Sequence, residues 1–158
     1  MKRNAIVEII CSLFILLFLY TGLIKLITYQ TFKSDILQFP FLPKSQLLLY
    51  YLPKIIGLLL PLVEIGVSFL LFIPSKRNLG LTASLILMIV FTTYVAMVIV
   101  LIPHSKQPCT CGGILRVMKW PQHLIFNIIF TYLALAGVKM NNQAFKQHKD
   151  RVANSILT

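Results

Sequence analysis

Two cysteines stand one residue apart in the segment QPCTCGG, residues 107–113 of this 158-residue chain. A disulfide between positions i and i+2 requires the backbone to bend, because its two Cα atoms must come within about 4.4–6.8 Å. Pro108 fixes the approach to Cys109, and the two glycines after Cys111 relax the exit. A ring this small is strained, and strained, exposed disulfides have more oxidising potentials. The spacing therefore favours a reactive redox pair over a structural disulfide.

Two other interpretations of this pair stay open. Two thiolates fill half of a tetrahedral zinc shell, and His104 and His123 could complete a Cys2His2 set. The cysteines of structural zinc sites usually stand two to four residues apart, so this spacing is not typical of zinc. The remaining alternative is an inert loop. We predict a redox pair at Cys109 and Cys111 and assign no metal.

A histidine follows the cysteines at the start of the fourth apolar stretch. His123 lies in the first turn of the helix predicted there, with Asn127 one turn later on the same face. A histidine near a thiol could act as the base that makes the thiolate. The alternative is an interfacial histidine that is hydrogen-bonded to a neighbouring helix.

Glu64 is the only acid inside the four apolar stretches of the chain, residues 9–24, 55–73, 79–102 and 120–138. An ionisable group in mid-membrane costs at least ~2.5 kcal/mol and normally faces inward toward a partner, which marks a functional residue by default. The alternative is a protonated acid that only bridges helices. Lys25, at the end of the first stretch, could reach the same interior, and the other possible partners are Tyr20, Tyr94 and Asn127. Cys11, alone in the first stretch, is expected to be an inert apolar filler.

The composition places these residues in a membrane protein. Hydrophobic residues make up 58% of the chain and charged residues 12%, whereas soluble proteins have about 25% charged residues. A helix needs about 20 residues to cross the hydrocarbon layer, and each apolar stretch reaches or approaches that length with its flanks. The prediction is an all-α, polytopic integral membrane protein with a four-transmembrane-helix bundle. Its helices are predicted at approximately 6–28, 53–73, 79–102 and 120–138.

The connections complete this expected organisation. The segment TFKSDILQFPFLP, in the first outer loop, suggests a short amphipathic helix at the interface that is ended by prolines. Residues 1–140 are predicted to form the membrane domain, and residues 141–158 a polar cytoplasmic tail. The first helix lacks a signal-peptide cleavage pattern, which predicts an uncleaved anchor.

The net charge of +11 comes from bases that lie mainly at helix ends and in short loops. This distribution indicates contact with lipid head groups rather than with nucleic acid. The bases divide almost evenly between the two sides, but Lys76 and Arg77 fall in the very short loop 74–78. We therefore predict cytoplasmic N- and C-termini in a bacterial inner membrane, with the Cys109/Cys111 loop in the periplasm.

Three segments resemble the MauE branch of the MauE/DoxX group of small four-helix membrane proteins. They are FLYTGLIKL, LLPLVEIGVSFLLF and QPCTCGGILRVMKWPQHLIFNIIF, and the resemblance extends over roughly residues 4–138. It implies a redox-associated role, since MauE is thought to help the disulfide-rich small subunit of methylamine dehydrogenase mature in the periplasm. Cys109 and Cys111 match the cysteine pair of the family, and Glu64 matches its acid in the second helix. "Methylamine" serves here as a family label.

Two functions from different classes are consistent with these residues. In the first, the Cys109/Cys111 pair exchanges disulfides with a periplasmic thioredoxin-like or disulfide-containing protein. Electrons would then pass to or from a quinone near the level of Glu64, or through a separate thioredoxin-like protein. In the second, the protein is a non-enzymatic membrane anchor or assembly subunit, or a DoxX-like subunit of a quinone-linked oxidoreductase.

Overall fold

Five α-helices account for most of the residues that the structure describes. A computed structural model describes residues 2–37, 45–101 and 120–156, and its described residues contain no strand. The helices are α1 (Lys2–Ile27), α2 (Tyr29–Leu37), α3 (Gln46–Phe72), α4 (Arg77–Leu101) and α5 (Trp120–Ile156), with a 3-10 turn at Pro74–Lys76.

Four of these helices are long and apolar enough to cross a membrane. Such helices satisfy their own backbone hydrogen bonds, which is what a lipid environment demands. This result confirms the predicted all-α fold class with four transmembrane helices. The candidate spans are Ala5–Ile27, Leu49–Phe72, Pro74–Leu101 and Trp120–Gln143.

The four spanning helices form a ring in which each has two neighbours. Helix α1 packs on α3 and α5, and α4 packs on the same two helices. Helices α4 and α5 run antiparallel, since Leu81 lies against Gly137 whereas Tyr94 lies against Trp120. One end of the bundle therefore holds the start of α5, and we call it the Trp120 end. The opposite end, where α4 begins, is called the Arg77 end.

Small residues set the closest approaches near the Arg77 end. A Cβ atom on Gly80 would lie 2.9 Å from the backbone nitrogen of Leu71, so α3 and α4 touch there. A Cβ atom on Gly137 would lie 3.1 Å from Leu81 and 3.2 Å from Ile10. In lipid, where burying apolar surface gives no net drive, such contacts bring dispersion attraction between helices. The apolar core of the bundle comprises Val7, Ile10, Cys11, Phe14, Phe18, Val67, Leu71, Leu81, Met88 and Ala134.

The short helix expected after α1 is present as α2. It almost continues α1, because the amide of Thr28 donates to Ile24 O at 2.8 Å and the amide of Phe32 donates to Thr28 O at 3.0 Å. Helix α2 packs against α3 and buries Phe32 and Ile36. Since α3 extends back to Gln46, α2 covers the part of α3 that α1 does not reach.

Both prolines of α3 lie inside a continuous helix. The sequence places the start of this helix at Pro53, whereas the helix begins at Gln46. Pro53 and Pro61 are fully buried. Each lacks the amide hydrogen of an ordinary helical residue, a loss that neighbouring helices can offset in a membrane bundle.

Helix α5 runs past the expected end of its span. The sequence places that end near Val138, and the helix extends to Ile156. The continuation falls in residues 141–158, which the sequence analysis assigns to a polar tail. The division of the chain into a membrane domain and a cytoplasmic tail stays a prediction.

Candidate functional site

Two of the four predicted site residues lie within the described structure. Glu64 is in α3 and His123 is in the first turn of α5. Cys109 and Cys111 lie outside the described residues. They belong to the connection between α4 and α5, and both of its flanking helix ends are at the Trp120 end of the bundle.

Glu64 is fully buried and holds the ammonium group of Lys25. Its side chain has 0% exposure, and Lys25 Nζ donates a hydrogen bond to Glu64 Oε1 across the α1–α3 interface. Helical side chains lean toward the N-terminus of their own helix, so two antiparallel helices tilt these residues toward each other. Among the possible partners named from the sequence, Lys25 is the one that pairs with Glu64.

Aromatic rings complete the surroundings of the Lys25 ammonium. Lys25 Nζ lies 5.0 Å from the ring centroid of Phe91 on α4 and 5.7 Å from that of Phe32 on α2. Rings at this distance attract a cation through their quadrupoles, by about 0.5–2 kcal/mol depending on desolvation. The ion pair thus links α1, α2, α3 and α4.

The second oxygen of the Glu64 carboxyl group is less well satisfied. Glu64 Oε2 is buried and has no hydrogen-bond partner among the described residues. The Thr21 hydroxyl, one turn before Lys25 on α1, is a further hydrogen-bonding group near the Glu64 carboxyl group. Buried polar atoms are normally paired in proteins, and an unpaired one commonly marks a functional site or a bound water.

Gly22 allows α1 and α3 to approach at this site. A Cβ atom there would lie 3.0 Å from Ile65 Cγ1, 3.1 Å from Pro61 O and 3.5 Å from Glu64 Cβ. A side chain on Gly22 would push the helices apart and lengthen the reach from Lys25 to Glu64. The sequence analysis did not single out Gly22. Its position three residues before a lysine, on the same helical face, is a signal that could have found it.

His123 is buried at the Trp120 end, with 5% exposure. Its ring centroid lies 6.2 Å from that of Trp120, which makes an edge contact with Tyr94 of α4 at 6.5 Å. Asn127 Nδ2 donates to His123 O at 2.8 Å, as expected for residues that share one helical face. His123 therefore packs beside Trp120, the α5 residue that contacts α4, immediately after the connection that carries the cysteines.

A polar line continues from His123 along α5. Thr131 lies one turn beyond Asn127 and donates to its carbonyl oxygen at 2.7 Å. The hydroxyl groups of Thr131 and Thr92 are 3.0 Å apart, which joins α5 to α4 by a side-chain hydrogen bond. We call His123, Asn127 and Thr131 the polar line of α5.

The third cysteine, Cys11, is a buried free thiol on α1. Cys11 has 3% exposure and packs within the apolar core, in agreement with its expected role as a filler. Among the described residues, no three His, Cys, Asp or Glu side chains lie together as metal ligands would. Three of the four residues of the zinc alternative, His104, Cys109 and Cys111, lie outside that part of the chain.

Four apolar spanning helices around a buried Lys25–Glu64 pair define a multi-pass membrane protein. Residues 3–140 match the family described as methylamine utilisation protein MauE. Because this match covers most of the chain, the protein belongs to the MauE family. No curated protein and no solved structure matches the chain. The resemblance to the MauE branch is thereby confirmed, and the wider DoxX grouping stays a prediction.

Proposed function

We propose that this MauE-family membrane protein carries out thiol–disulfide exchange through Cys109 and Cys111 with a periplasmic thioredoxin-like or disulfide-containing protein. The observation that carries the proposal is the position of His123. This buried imidazole lies in the first turn of α5, and the cysteines lie in the connection that leads directly into that turn. Family membership and the C-x-C spacing support the same assignment.

The exchange follows from ordinary thiolate chemistry. His123 accepts the proton of one thiol, and the resulting thiolate attacks the disulfide of the partner. This step forms a mixed disulfide and releases one partner thiolate. The second cysteine, as a thiolate, then attacks the mixed disulfide and releases the other partner sulfur. The partner gains two electrons, and a Cys109–Cys111 disulfide is formed; the reverse sequence oxidises the partner.

A complete cycle needs a second redox partner that restores the pair. Its chemical class is either another dithiol protein or a membrane quinone near the level of Glu64. The proposed setting is a bacterial inner membrane with both termini in the cytoplasm and the Cys109/Cys111 loop in the periplasm. Lys76 in the tight α3–α4 connection and Arg77 at the start of α4 support this orientation, because short cytoplasmic loops and their flanks are enriched in bases.

Single serine variants are expected to trap the exchange intermediate. With Cys109→Ser or Cys111→Ser in turn, one of the two variants retains the attacking thiol and lacks the resolving thiol. A mixed disulfide with the partner should then accumulate in intact cells and disappear on reduction. Non-reducing gels after acid quenching and alkylation measure this directly.

Two further variants provide the controls for this trapping experiment. Cys11→Ser removes the buried core thiol and should leave trapping unchanged, whereas a Cys109→Ser/Cys111→Ser variant should trap nothing. The proposal is wrong if neither single variant forms a mixed disulfide and alkylation finds both thiols always in one redox state. A double serine variant that keeps full function would instead support the anchor subunit. A stoichiometric metal retained after desalting would support the zinc alternative.

His123→Gln is expected to slow thiolate formation. Positioned bases commonly contribute 10²–10⁴-fold, but cysteine ionises partly without help, so we expect about a tenfold lower alkylation rate of the reduced pair near pH 7. The rate should recover above about pH 8.5, where an ordinary thiol ionises by itself. Stopped-flow alkylation across this pH range measures the effect.

Asn142→Ala, at an exposed position farther along the same helix, is the control and should alkylate at the wild-type rate. A defect in His123→Gln that persists unchanged at high pH would point to a structural role and would argue against proton transfer.

A further inference from the structure

Two lysines and two tyrosines lie together where α2 packs on the first part of α3, at the Trp120 end. Lys54 Nζ lies 3.4 Å from the ring centroid of Tyr50, one turn earlier in α3. The rings of Tyr50 and Tyr51 meet edge-on, with their centroids 5.0 Å apart. Lys33 of α2 is near enough to Tyr50 to interact with it electrostatically. We call Lys33, Tyr50, Tyr51 and Lys54 the lysine–tyrosine cluster.

The packing of α2 on α3 brings the two lysines of this cluster together. Tyr29 of α2 lies against Gly57 of α3, where a Cβ atom would be 3.1 Å from the Tyr29 ring. Lys33 follows Tyr29 by about one turn, and Lys54 precedes Gly57 by about one turn. Since α2 almost continues α1, it runs antiparallel to α3. Both lysines therefore lie on the same side of the Tyr29–Gly57 contact.

The cluster lies at the depth of the phospholipid head groups. Lys54 is about 27 Å from the end of α3 at Phe72, because a helix rises ~1.5 Å per residue. This length is close to the ~30 Å thickness of the hydrocarbon layer. Tyr50 and Tyr51 come before Lys54 in α3, so they lie in the interfacial layer where tyrosine side chains are enriched.

Neither lysine of the cluster forms an ion pair with a described side chain. The chain has four acids, of which Glu64 pairs with Lys25 and Glu8 lies at the opposite end of the bundle. The side chains of the other two, Asp35 and Asp150, are outside the described part of the structure. Two ammonium groups held side by side at the membrane surface attract an anion.

The chemistry of the cluster matches a phosphate group. An ammonium group has three hydrogen-bond donors, and the Tyr50 ring covers only one side of Lys54. The remaining donors are available to phosphate oxygens, which lysine commonly binds as a point charge. Tyr50 and Tyr51 are 58% and 52% exposed, so their hydroxyl groups can donate to the same ligand.

An apolar stripe continues from the cluster toward the middle of α3. Below Tyr51, the side chains of Ile55, Leu58 and Leu62 follow at spacings of three or four residues, on one helical face. They are 55%, 51% and 50% exposed, which on a spanning helix means that they face lipid. A ligand with a phosphate group and attached acyl chains meets both the cluster and this stripe, whereas free phosphate meets only the cluster.

We propose that the lysine–tyrosine cluster binds the phosphate group of an anionic phospholipid, whose acyl chains lie along Ile55, Leu58 and Leu62. A zwitterionic phospholipid carries the same phosphate together with its own cation, so the two lysines favour the anionic lipid. The proposal involves no cysteine and goes beyond thiol exchange. It can therefore succeed or fail independently of the proposed function.

Quenching of a single tryptophan by brominated lipids tests this proposal. Trp120→Phe removes the only tryptophan of the chain, and Tyr50→Trp introduces one in the cluster, with an aromatic ring still beneath Lys54. This full-length reporter is placed in vesicles of equal parts phosphatidylglycerol and phosphatidylcholine, with bromine on the acyl chains of one lipid or the other. We expect phosphatidylglycerol to bind beside the fluorophore about tenfold more strongly than phosphatidylcholine.

Two double variants of this reporter show whether the lysines cause the preference. Lys33→Gln/Lys54→Gln should bring the ratio of the two binding constants close to one. Lys76→Gln/Lys139→Gln removes the same charge from exposed positions near the Arg77 end and should leave the ratio unchanged.

A second reporter separates a local site from the overall positive charge of the protein. Trp120→Phe/Tyr132→Trp places the fluorophore at a position of α5 that is 69% exposed and belongs to a spanning helix. Both brominated lipids should quench it equally.

Three results would overturn the proposal. The first is equal quenching by the two lipids at position 50, and the second is a preference that survives Lys33→Gln/Lys54→Gln. The third is the same preference at position 132, which would assign it to the net charge of +11. Inorganic phosphate added at constant ionic strength should leave the ratio unchanged, and its loss would indicate a site for free phosphate instead of lipid.

Discussion

Replacing Lys25 by methionine is expected to lower the free energy of unfolding by about 3–5 kcal/mol. Removing one partner of a buried ion pair leaves the other charge uncompensated, and losses of this size are typical. Here the stranded group is Glu64, which has 0% exposure and no second hydrogen-bond partner among the described residues. Methionine keeps the length of the apolar stem, so the loss reports the charge rather than the packing. Unfolding in mixed detergent micelles measures it.

The double variant Lys25→Met/Glu64→Leu should recover most of this loss. Replacing a complete buried ion pair by apolar residues of similar size is often neutral or stabilising. Lys139→Met, at an exposed position of α5, is the matched control and should change the free energy of unfolding by less than about 1 kcal/mol. Additive losses in the two single variants, with no recovery in the double variant, would contradict an energetic link between Lys25 and Glu64.

Gly80→Ala is expected to destabilise the protein by about 1–3 kcal/mol, the usual cost of overpacking. The new Cβ would lie 2.9 Å from the backbone nitrogen of Leu71, and backbone cannot turn aside as a side chain can. Helices α3 and α4 would have to separate, with loss of contacts around the buried Leu71 and Leu81. The same unfolding measurement in mixed micelles provides the test.

Gly66→Ala is the matched control, because it makes the same substitution inside α3. A Cβ atom on Gly66 would have no neighbour within 4 Å. Alanine favours helix over glycine by about 0.8–1.0 kcal/mol, so this variant should be neutral or stabilised. Equal effects at Gly80 and Gly66 would mean that helix propensity, not the close contact with Leu71, decides the outcome.

The Lys25–Glu64 ion pair shows what the positions of charged residues in an apolar sequence can predict. Glu64 inside an apolar stretch had to face a partner, because an exposed carboxylate in lipid is costly. Lys25 was a candidate partner of Glu64, because its charge is opposite and it lies at the end of the first apolar stretch. The structure selects it, since α1 and α3 are antiparallel neighbours with Gly22 at their closest approach.

The face shared by His123 and Asn127 was predictable for a related reason. Residues four apart in a helix are neighbours whatever the rest of the fold does. The contact of the His123 ring with Trp120, which itself meets Tyr94 of α4, was not predictable, because it depends on how α5 is rotated toward α4. The same rotation produces the Thr92–Thr131 hydrogen bond, whose two residues belong to different helices.

The aromatic rings around Lys25 show most clearly which contacts the sequence does not predict. Phe32 and Phe91 are two of eleven phenylalanines in an apolar chain, and nothing in their local sequence marks them as cation neighbours. The ring contacts of Phe14 with Phe18 and with Phe130 are likewise not predicted by the sequence.

Length and hydrophobicity alone determined a four-span, all-helical membrane protein, because the bilayer sets the length of a helix and forbids unpaired backbone. The MauE motifs determined the family. The order of the helices around the ring came from the tertiary structure alone. In a uniformly apolar helix many faces can face lipid, so the close contacts at Gly22, Gly80 and Gly137 select the face that turns inward.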